Sequence, residues 1–244
     1  MIELDQVSKT YASTVALHPL SLTTTPGETT VLIGPSGCGK STLLRLMNGL
    51  IAPTTGNVYF DSKPITRDNL QAMRYHMGYV IQDGGLFPHL SARDNVTLLA
   101  TQLGWPKERQ ESRLRELADL VQFPFDRLDS FPGQLSGGQQ QRVSLMRALM
   151  LDPDVLLLDE PLGALDPMIR ANLQSDLRSI FRRLSKTVVL VTHDLHEAGY
   201  FADTILLLRE GRVEQQGSFT DLIDSPATPF VEAFTNAQRT VFDG

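Results

Sequence analysis

With 244 residues, 41% of them apolar and 20% charged, the chain can bury a substantial core, and its length leaves open one large domain or two small ones. A net charge of -6 gives no overall basic surface of the kind nucleic-acid binders carry, and a single cysteine, Cys38, rules out an internal disulfide framework and suits a reducing compartment. No apolar run approaches the roughly 18–20 residues of a spanning helix, and Met1–Asp5 has neither the basic nor the apolar region of a secretory signal.

Ile2, Leu4 and Val7 approximate strand alternation, and Val15–Leu22 reads as a second strand before the turn at Pro26-Gly27. Glu28–Ile33 is a short apolar strand that stops at Gly34. From Lys40 the residues Leu43, Leu44, Met47 and Leu50 follow helical spacing, so 28–50 reads as strand, glycine-rich loop and helix. Strands are expected near Gly56–Phe60 and Met77–Ile81. From about 83 to 138 the chain turns rich in helix formers, with helices over Arg93–Gln102 and Lys107–Leu120 and a turn-rich Phe123–Pro132. That stretch is expected to be a helical insertion. Alternation then returns: a helix from about Gln139 to Met150, a strand Val155–Leu158, a helix Pro167–Leu184 and a strand Thr187–Val191. Strands Thr204–Leu208 and Arg212–Gln215 precede a short helical tail over about 218–244. Such alternation implies a mostly parallel sheet covered on both faces.

Gly34-Pro35-Ser36-Gly37-Cys38-Gly39-Lys40-Ser41-Thr42 has the spacing G-x-x-x-x-G-K-[ST] between a strand and a helix. Glycines let the backbone wrap so that successive N–H groups point inward, and the following helix aims its positive end at the same spot. This is a cradle for a nucleoside triphosphate. Lys40 can reach the β- and γ-phosphates, and the Ser41 hydroxyl can ligate Mg²⁺. Cys38 lies inside the cradle, where oxidation or alkylation is expected to obstruct ATP; its reactivity is left open by the sequence.

Val155-Leu156-Leu157-Leu158-Asp159-Glu160 is an apolar strand that ends in two carboxylates. Taken alone they end a strand and begin a turn at Pro161. Beside a phosphate loop, at the ligand-facing carboxyl end of a parallel sheet, Asp159 is placed to hold Mg²⁺ and Glu160 to deprotonate an attacking water.

Leu135-Ser136-Gly137-Gly138-Gln139, followed by Gln140-Gln141-Arg142, resembles the signature motif of the ABC ATPases. Ser136, Gly137 and Gly138 offer backbone donors at a helix start, a second phosphate-binding end. One domain has one γ-phosphate. The resemblance implies that this loop, with Gln139, grips the nucleotide held by a second subunit, so that two copies sandwich two ATPs. It also assigns the remaining motifs. Tyr11 resembles the aromatic that stacks on adenine, although alone it reads as core or surface filler. Gln82, after the strand that ends at Ile81, resembles the glutamine that senses Mg²⁺ and contacts the membrane partner. Ala164-Leu165-Asp166 resembles the loop whose aspartate crosses the dimer interface. His193, after Thr192, resembles the histidine that contacts the γ-phosphate; alone it reads as an ordinary strand-end histidine. The other four histidines carry no assigned role.

The resemblance runs over residues 1–220 with its motifs in order. It implies an α/β P-loop NTPase of ABC type, a single ABC ATPase domain over 1–244, with an antiparallel β portion and an inserted helical subdomain, using ATP and Mg²⁺. A stand-alone P-loop kinase or GTPase would lack the Ser136–Gln139 loop; a non-transport ABC assembly ATPase shares the cassette. Without fused membrane helices, a second cassette or a long coiled coil, a separate importer subunit is the natural reading. Its expected partners are transmembrane permease subunits, a second ATPase subunit forming a homodimer and a solute-binding protein, with no nucleic acid. Its expected location is peripheral, on the cytoplasmic face of the inner (plasma) membrane.

The run Gly85-Leu86-Phe87-Pro88-His89-Leu90 after Gln82 resembles the ATP-binding subunits of osmoprotectant importers for glycine betaine, choline or proline. Polar amino acids are an alternative cargo. Leu86, Phe87 and Leu90 are expected either to line the groove that receives a permease helix or to pack the helical insertion. Many osmoprotectant ATPases continue into paired regulatory domains, which are not expected in a chain ending at Gly244. The Val143–Leu151 and Ala171–Leu184 stripes read as core, and Arg178, Arg182, Arg183 and Lys186 as a solvated face.

Overall fold

The computed structural model describes residues 1–82, 84–163 and 166–239. They form two compact units, one of residues 1–73 with 187–239 and one of the described residues within 74–186.

In the first unit β1 (Ile2–Tyr11), β2 (Thr14–Thr23), β4 (Thr55–Phe60) and β5 (Lys63–Pro64) make an antiparallel sheet in the order β2-β1-β4-β5. Ile2, Leu4 and Val7 are all buried, although Val7 is out of phase with the other two. A register shift between Leu4 and Val7 restores the phase. Gln6 sits at φ 47° in this bulge, and Gly56 opposite it has no room for a side chain, since a Cβ would lie 2.2 Å from the Gln6 carbonyl oxygen.

The same unit carries β3 (Thr29–Ile33), hydrogen-bonded in parallel to β8 (Thr187–Val191) on one side and β9 (Thr204–Arg209) on the other, with β10 (Arg212–Gly217) antiparallel to β9. All five residues of β3 and of β8 are buried, which is why both lack polar–apolar alternation, with Thr29, Thr30 and Thr187 buried among the apolar residues. α1 (Lys40–Met47) follows β3, and α2 (Leu70–Arg74) leads out towards residue 74. After β8 a short α7 (Leu195–Phe201) starts at Asp194, whose carboxylate accepts from the His196 and Glu197 N–H groups. Seven residues containing Gly199 carry too little periodicity to announce a helix, so the sequence does not foretell this element. Gly199 is needed because a Cβ would meet the Phe219 ring at 2.7 Å. The tail forms α8 (Phe219–Asp224) and α9 (Pro229–Arg239).

In the second unit β6 (Met77–Val80) pairs in parallel with β7 (Val155–Asp159). Between them in sequence come α3 (Ala92–Gln102), α4 (Lys107–Leu120), two 3-10 turns (Phe125–Arg127 and Pro132–Gln134) and α5 (Gly137–Leu149). α6 (Pro167–Leu184) follows β7. Gly78 lets α5 lie close on β6, because a Cβ there would be 2.5 Å from the Ala148 carbonyl oxygen. Arg142 of α5 donates to Asp176 of α6 at 2.6 Å and to the Val121 carbonyl, so a half-buried ion pair ties three segments together.

Candidate functional site

The cradle is built on β3. At Ile33 the strand ends, and Gly34 turns the chain at φ 146° against β9, where a Cβ would stand 2.1 Å from the Leu208 carbonyl oxygen and 2.9 Å from Cys38 Sγ. Pro35, Ser36 and Gly37 form an exposed rim. Gly37 is at φ 79°, and a Cβ on it would have nothing within 4 Å, so its backbone conformation, not crowding, calls for glycine there. Gly39 is the N-cap of α1 at φ 109°, where a Cβ would meet Leu17 Cδ2 at 2.6 Å. Having no side chain, Gly39 cannot cap the first-turn N–H groups of Lys40, Ser41 and Thr42. β2 and the β9–β10 turn back the loop through bonds from the Gly211 N–H to the Cys38 carbonyl (3.0 Å) and from the His18 N–H to the Gly211 carbonyl (2.9 Å).

Lys40 folds back over this ring. Its Nζ donates to the Gly34 carbonyl at 2.7 Å and the Pro35 carbonyl at 3.1 Å, and its side chain is buried. The ammonium is thereby held at the mouth of the cradle, where a phosphate oxygen can replace a carbonyl as its acceptor. Cys38 turns its thiol inward, with Sγ 3.8 Å from Lys40 Nζ. Burial pushes its thiol above the ordinary cysteine range, against the opposing pull of the Lys40 charge, and its N–H donates to the Pro35 carbonyl at 3.2 Å. A buried, protonated thiol is a poor nucleophile.

β8 ends beside β3, and the Thr192 N–H donates to the Leu32 carbonyl at 3.1 Å. The next residue, the exposed His193, therefore stands at the same carboxyl edge as the phosphate loop. Tyr11 closes the β1–β2 hairpin opposite Thr14, with an exposed ring 5.1 Å from Lys9 Nζ. An exposed ring of this kind offers a face for stacking.

In the second unit Asp159 is the buried last residue of β7, and Glu160 follows at φ 46°. A non-glycine residue in the left-handed region costs about 1 kcal/mol or more, strain of the sort that collects at functional positions. Ser136 and Gln139 form a reciprocal cap of α5: the Gln139 N–H donates to Ser136 Oγ at 3.3 Å and the Ser136 N–H to Gln139 Oε1 at 2.9 Å. Both side chains thus serve the helix start that the motif requires. Gly138 answers to packing as well, since a Cβ would meet Ile169 Cγ2 of α6 at 2.6 Å. Asp166 caps α6 by accepting from the Ile169 N–H at 3.0 Å. Ala164 and Leu165 of that motif, and Asp83 after Gln82, lie outside the described residues.

Gln82 is exposed in the turn after β6. Two α5 residues inside the stripe that reads as core hold the segment behind it. Ser144 Oγ donates to the Gly84 carbonyl at 2.6 Å, while the Arg147 guanidinium donates to the Gly84 and Gly85 carbonyls at 3.0 and 2.9 Å. Burial pulls the Arg147 pKa below its usual value. Asn95 then organises residues 87–91 by bonding the backbone of Phe87, Leu90 and Ser91, which leaves the Phe87 ring exposed. Beside this loop is a cavity of about 220 Å³ whose walls include Tyr75, Tyr79, Leu98, Leu99 and Arg147.

A family model described as "ABC transporter" matches residues 17–163, more than half of the chain. The chain belongs to the ABC transporter family. The match takes in the phosphate loop, the Ser136 loop and Glu160, while Tyr11, Asp166 and His193 lie outside it. Among curated relatives, this ABC cassette is 42% identical over 242 residues to the glycine betaine/carnitine/choline transport ATP-binding protein OpuCA of Bacillus subtilis (strain 168), covering 99% of this chain and 64% of that one. It is 44% identical over 233 residues to the sulfate/thiosulfate import ATP-binding protein CysA of Synechococcus elongatus, covering 96% of this chain and 67% of the relative. The chain thus spans about two thirds of the length of OpuCA. Among solved structures it resembles the dimeric post-hydrolysis state of the ATP-binding cassette MJ0796 bound to ADP and Pi, with a TM-score of 0.82 and 34% identity over 90% of this chain and 99% of that one. The fold is that of an ABC ATPase cassette.

The side chains present suit the expected ligands. An α1 start without a side-chain cap and a glycine ring with an inward lysine fit a triphosphate. Ser41 in the first unit, and Gln82 and Asp159 in the second, each carry hard oxygen atoms, and among the described residues no cluster of three or more His, Cys, Asp or Glu side chains forms a protein-only metal cage. Oxygen donors of this kind suit Mg²⁺, which favours one or two carboxylates together with substrate phosphates. No helix among the described residues is long and apolar enough to cross a membrane.

Proposed function

We propose that the chain is the ATP-hydrolysing cassette of an ABC importer, working as a dimer in which each ATP is held by the phosphate loop of one copy and the Ser136 loop of the other. The observation that carries the reading is the cradle from Gly34 to Ser41, with Lys40 poised over its carbonyls at the start of α1. The dimeric cassette it resembles, bound to ADP and Pi, supports the hydrolytic part.

In this reading Lys40 neutralises the β- and γ-phosphates, and Ser41, Gln82 and Asp159 hold Mg²⁺. When bound, the metal would withdraw charge from the phosphoryl oxygens. Glu160 orients a water in line with the γ-phosphate and takes its proton, while His193 contacts the γ-phosphate and Tyr11 stacks on adenine. The second copy supplies Ser136, Gly137, Gly138, Gln139 and Asp166. Permease subunits dock at the exposed Phe87 and the cavity beside it, from the cytoplasmic side of the membrane, and a solute-binding protein delivers the cargo.

The cargo is a quaternary amine such as glycine betaine, choline or carnitine, a reading supported by OpuCA and by the Gly85–His89 run. A second reading, sulfate or thiosulfate, is favoured by the likeness to CysA. Hydrolysis by the purified chain tests the enzyme. Lys40→Ala and Glu160→Gln should both lose turnover; near-normal turnover of Glu160→Gln removes that carboxylate as the base. Uptake of labelled choline against labelled sulfate, by cells carrying this chain or its Lys40→Ala variant, decides the cargo.

A further inference from the structure

The turn that carries His193 is held by the side chains of Thr192, Asp194, Glu197 and Gln238, and the last of them comes from the far end of the chain. Thr192 Oγ1 donates to the buried Glu197 carboxylate at 2.6 Å and accepts from the Asp194 N–H at 3.1 Å. Asp194 caps α7. The remaining anchor is Gln238 near the end of α9. Its Oε1 accepts from the Leu195 N–H at 2.6 Å, and its Nε2 donates to the His193 carbonyl at 3.1 Å. One side-chain amide therefore bridges the backbone on both sides of Asp194, as a neighbouring strand would. Thr192, Asp194 and Glu197 belong to the turn or to α7, so they fix its internal shape. Gln238 ties that shape to a separate helix 43 residues away in sequence.

α9 is itself anchored within the first unit. Val231 and Thr235 are buried, the Arg209 guanidinium of β9 lies 4.5 Å from the Phe230 ring centroid, and Thr228, just ahead of α9, bonds Glu214 of β10 at 3.2 Å. β9 also flanks β3, the strand that delivers the phosphate loop. Thus α9 is referenced to the sheet that sets the cradle, and Gln238 passes that reference to the histidine turn.

We infer that Gln238 is a positioning residue for His193, and that α9 acts through it as a handle on hydrolysis: with α9 seated, the imidazole is presented to the γ-phosphate, and with α9 displaced, the turn is released while the cradle still binds nucleotide. The inference rests on the proposed role of His193 as a γ-phosphate contact. A helix of eleven residues near the end of the chain can be lifted without breaking a sheet ladder, which suits a regulatory element.

The test compares wild type, Gln238→Met, Gln238→Glu and His193→Ala as full chains. It reads Mg-ATP turnover, the affinity for TNP-ATP, the melting temperature and hydrogen exchange at the Leu195 amide. Gln238→Met keeps length and bulk but loses both bonds, so exchange at Leu195 should quicken and kcat should fall about tenfold, while TNP-ATP affinity stays within about twofold. Gln238→Glu keeps only the acceptor for Leu195 and should fall between. A merely structural role would instead lower the melting temperature and weaken nucleotide binding in step with kcat. Wild-type kcat in Gln238→Met, alongside an inactive His193→Ala, overturns the positioning role alone. Wild-type kcat in His193→Ala overturns the site reading on which it rests.

Discussion

Gly34→Ala is the substitution whose consequence the geometry fixes most tightly. The added methyl would lie 2.1 Å from the Leu208 carbonyl oxygen and 2.9 Å from Cys38 Sγ, where an ordinary Cβ contact is 3.4–4 Å. The first obstacle is backbone inside β9, which cannot rotate aside, so the loop itself must retreat by about an ångström. Overpacking of this kind costs about 1–3 kcal/mol. With each kcal/mol worth ~2–4 °C in a chain of this size, a loss near 2 kcal/mol lowers Tm by about 4–8 °C. A loop displaced by about 1 Å also misplaces Lys40 and the α1 amides, a loss on the order of 100-fold in turnover. Gly37→Ala is the control. Gly37 has φ 79° but nothing within 4 Å of a Cβ, so it bears left-handed strain of about 1 kcal/mol without a clash. Thermal melts without nucleotide and TNP-ATP titrations of both variants make the comparison. The reasoning fails if Gly34→Ala melts and binds as wild type, or if Gly37→Ala is the more damaged of the two.

Burial raises the Cys38 thiol pKa, so the folded chain resists ionisation more than the unfolded one. Its contribution to stability is present below the unfolded thiol's ordinary value and is lost as pH rises through the folded value. Iodoacetamide labelling of the native chain at pH 8 should therefore be many times slower than after unfolding; equal rates would contradict the buried thiol. Asp176→Ala leaves Arg142 half-buried without its carboxylate, which should cost about 1–3 kcal/mol and lower Tm by several degrees. An unchanged melt would show that the α5–α6 clamp is energetically idle.

The motifs were legible because each needs a particular residue type at a fixed spacing. Glycines at 34, 37 and 39, a lysine at 40 and non-alternating strands at 29–33 and 155–158 admit few alternative arrangements. What escaped was long-range or conformational. The Gln6 bulge shows up only as Val7 falling out of phase, and the left-handed Glu160 has no sequence marker. Ser144, Arg147 and Gln238 act on carbonyl and N–H groups far away in sequence, and a side-chain bond to backbone leaves no periodic trace. Ser136 and Gln139 were legible as a binding motif, yet their spacing of three is equally that of a capping box, which is the bond they form.

The central claim is that two loops on separate copies of this chain grip one triphosphate. Sedimentation of Glu160→Gln with and without Mg-ATP tests it most directly. The account predicts a nucleotide-dependent doubling of mass that Ser136→Arg abolishes without loss of ATP binding. A Glu160→Gln chain that binds ATP yet sediments as a monomer, or a dimer indifferent to Ser136→Arg, would contradict it.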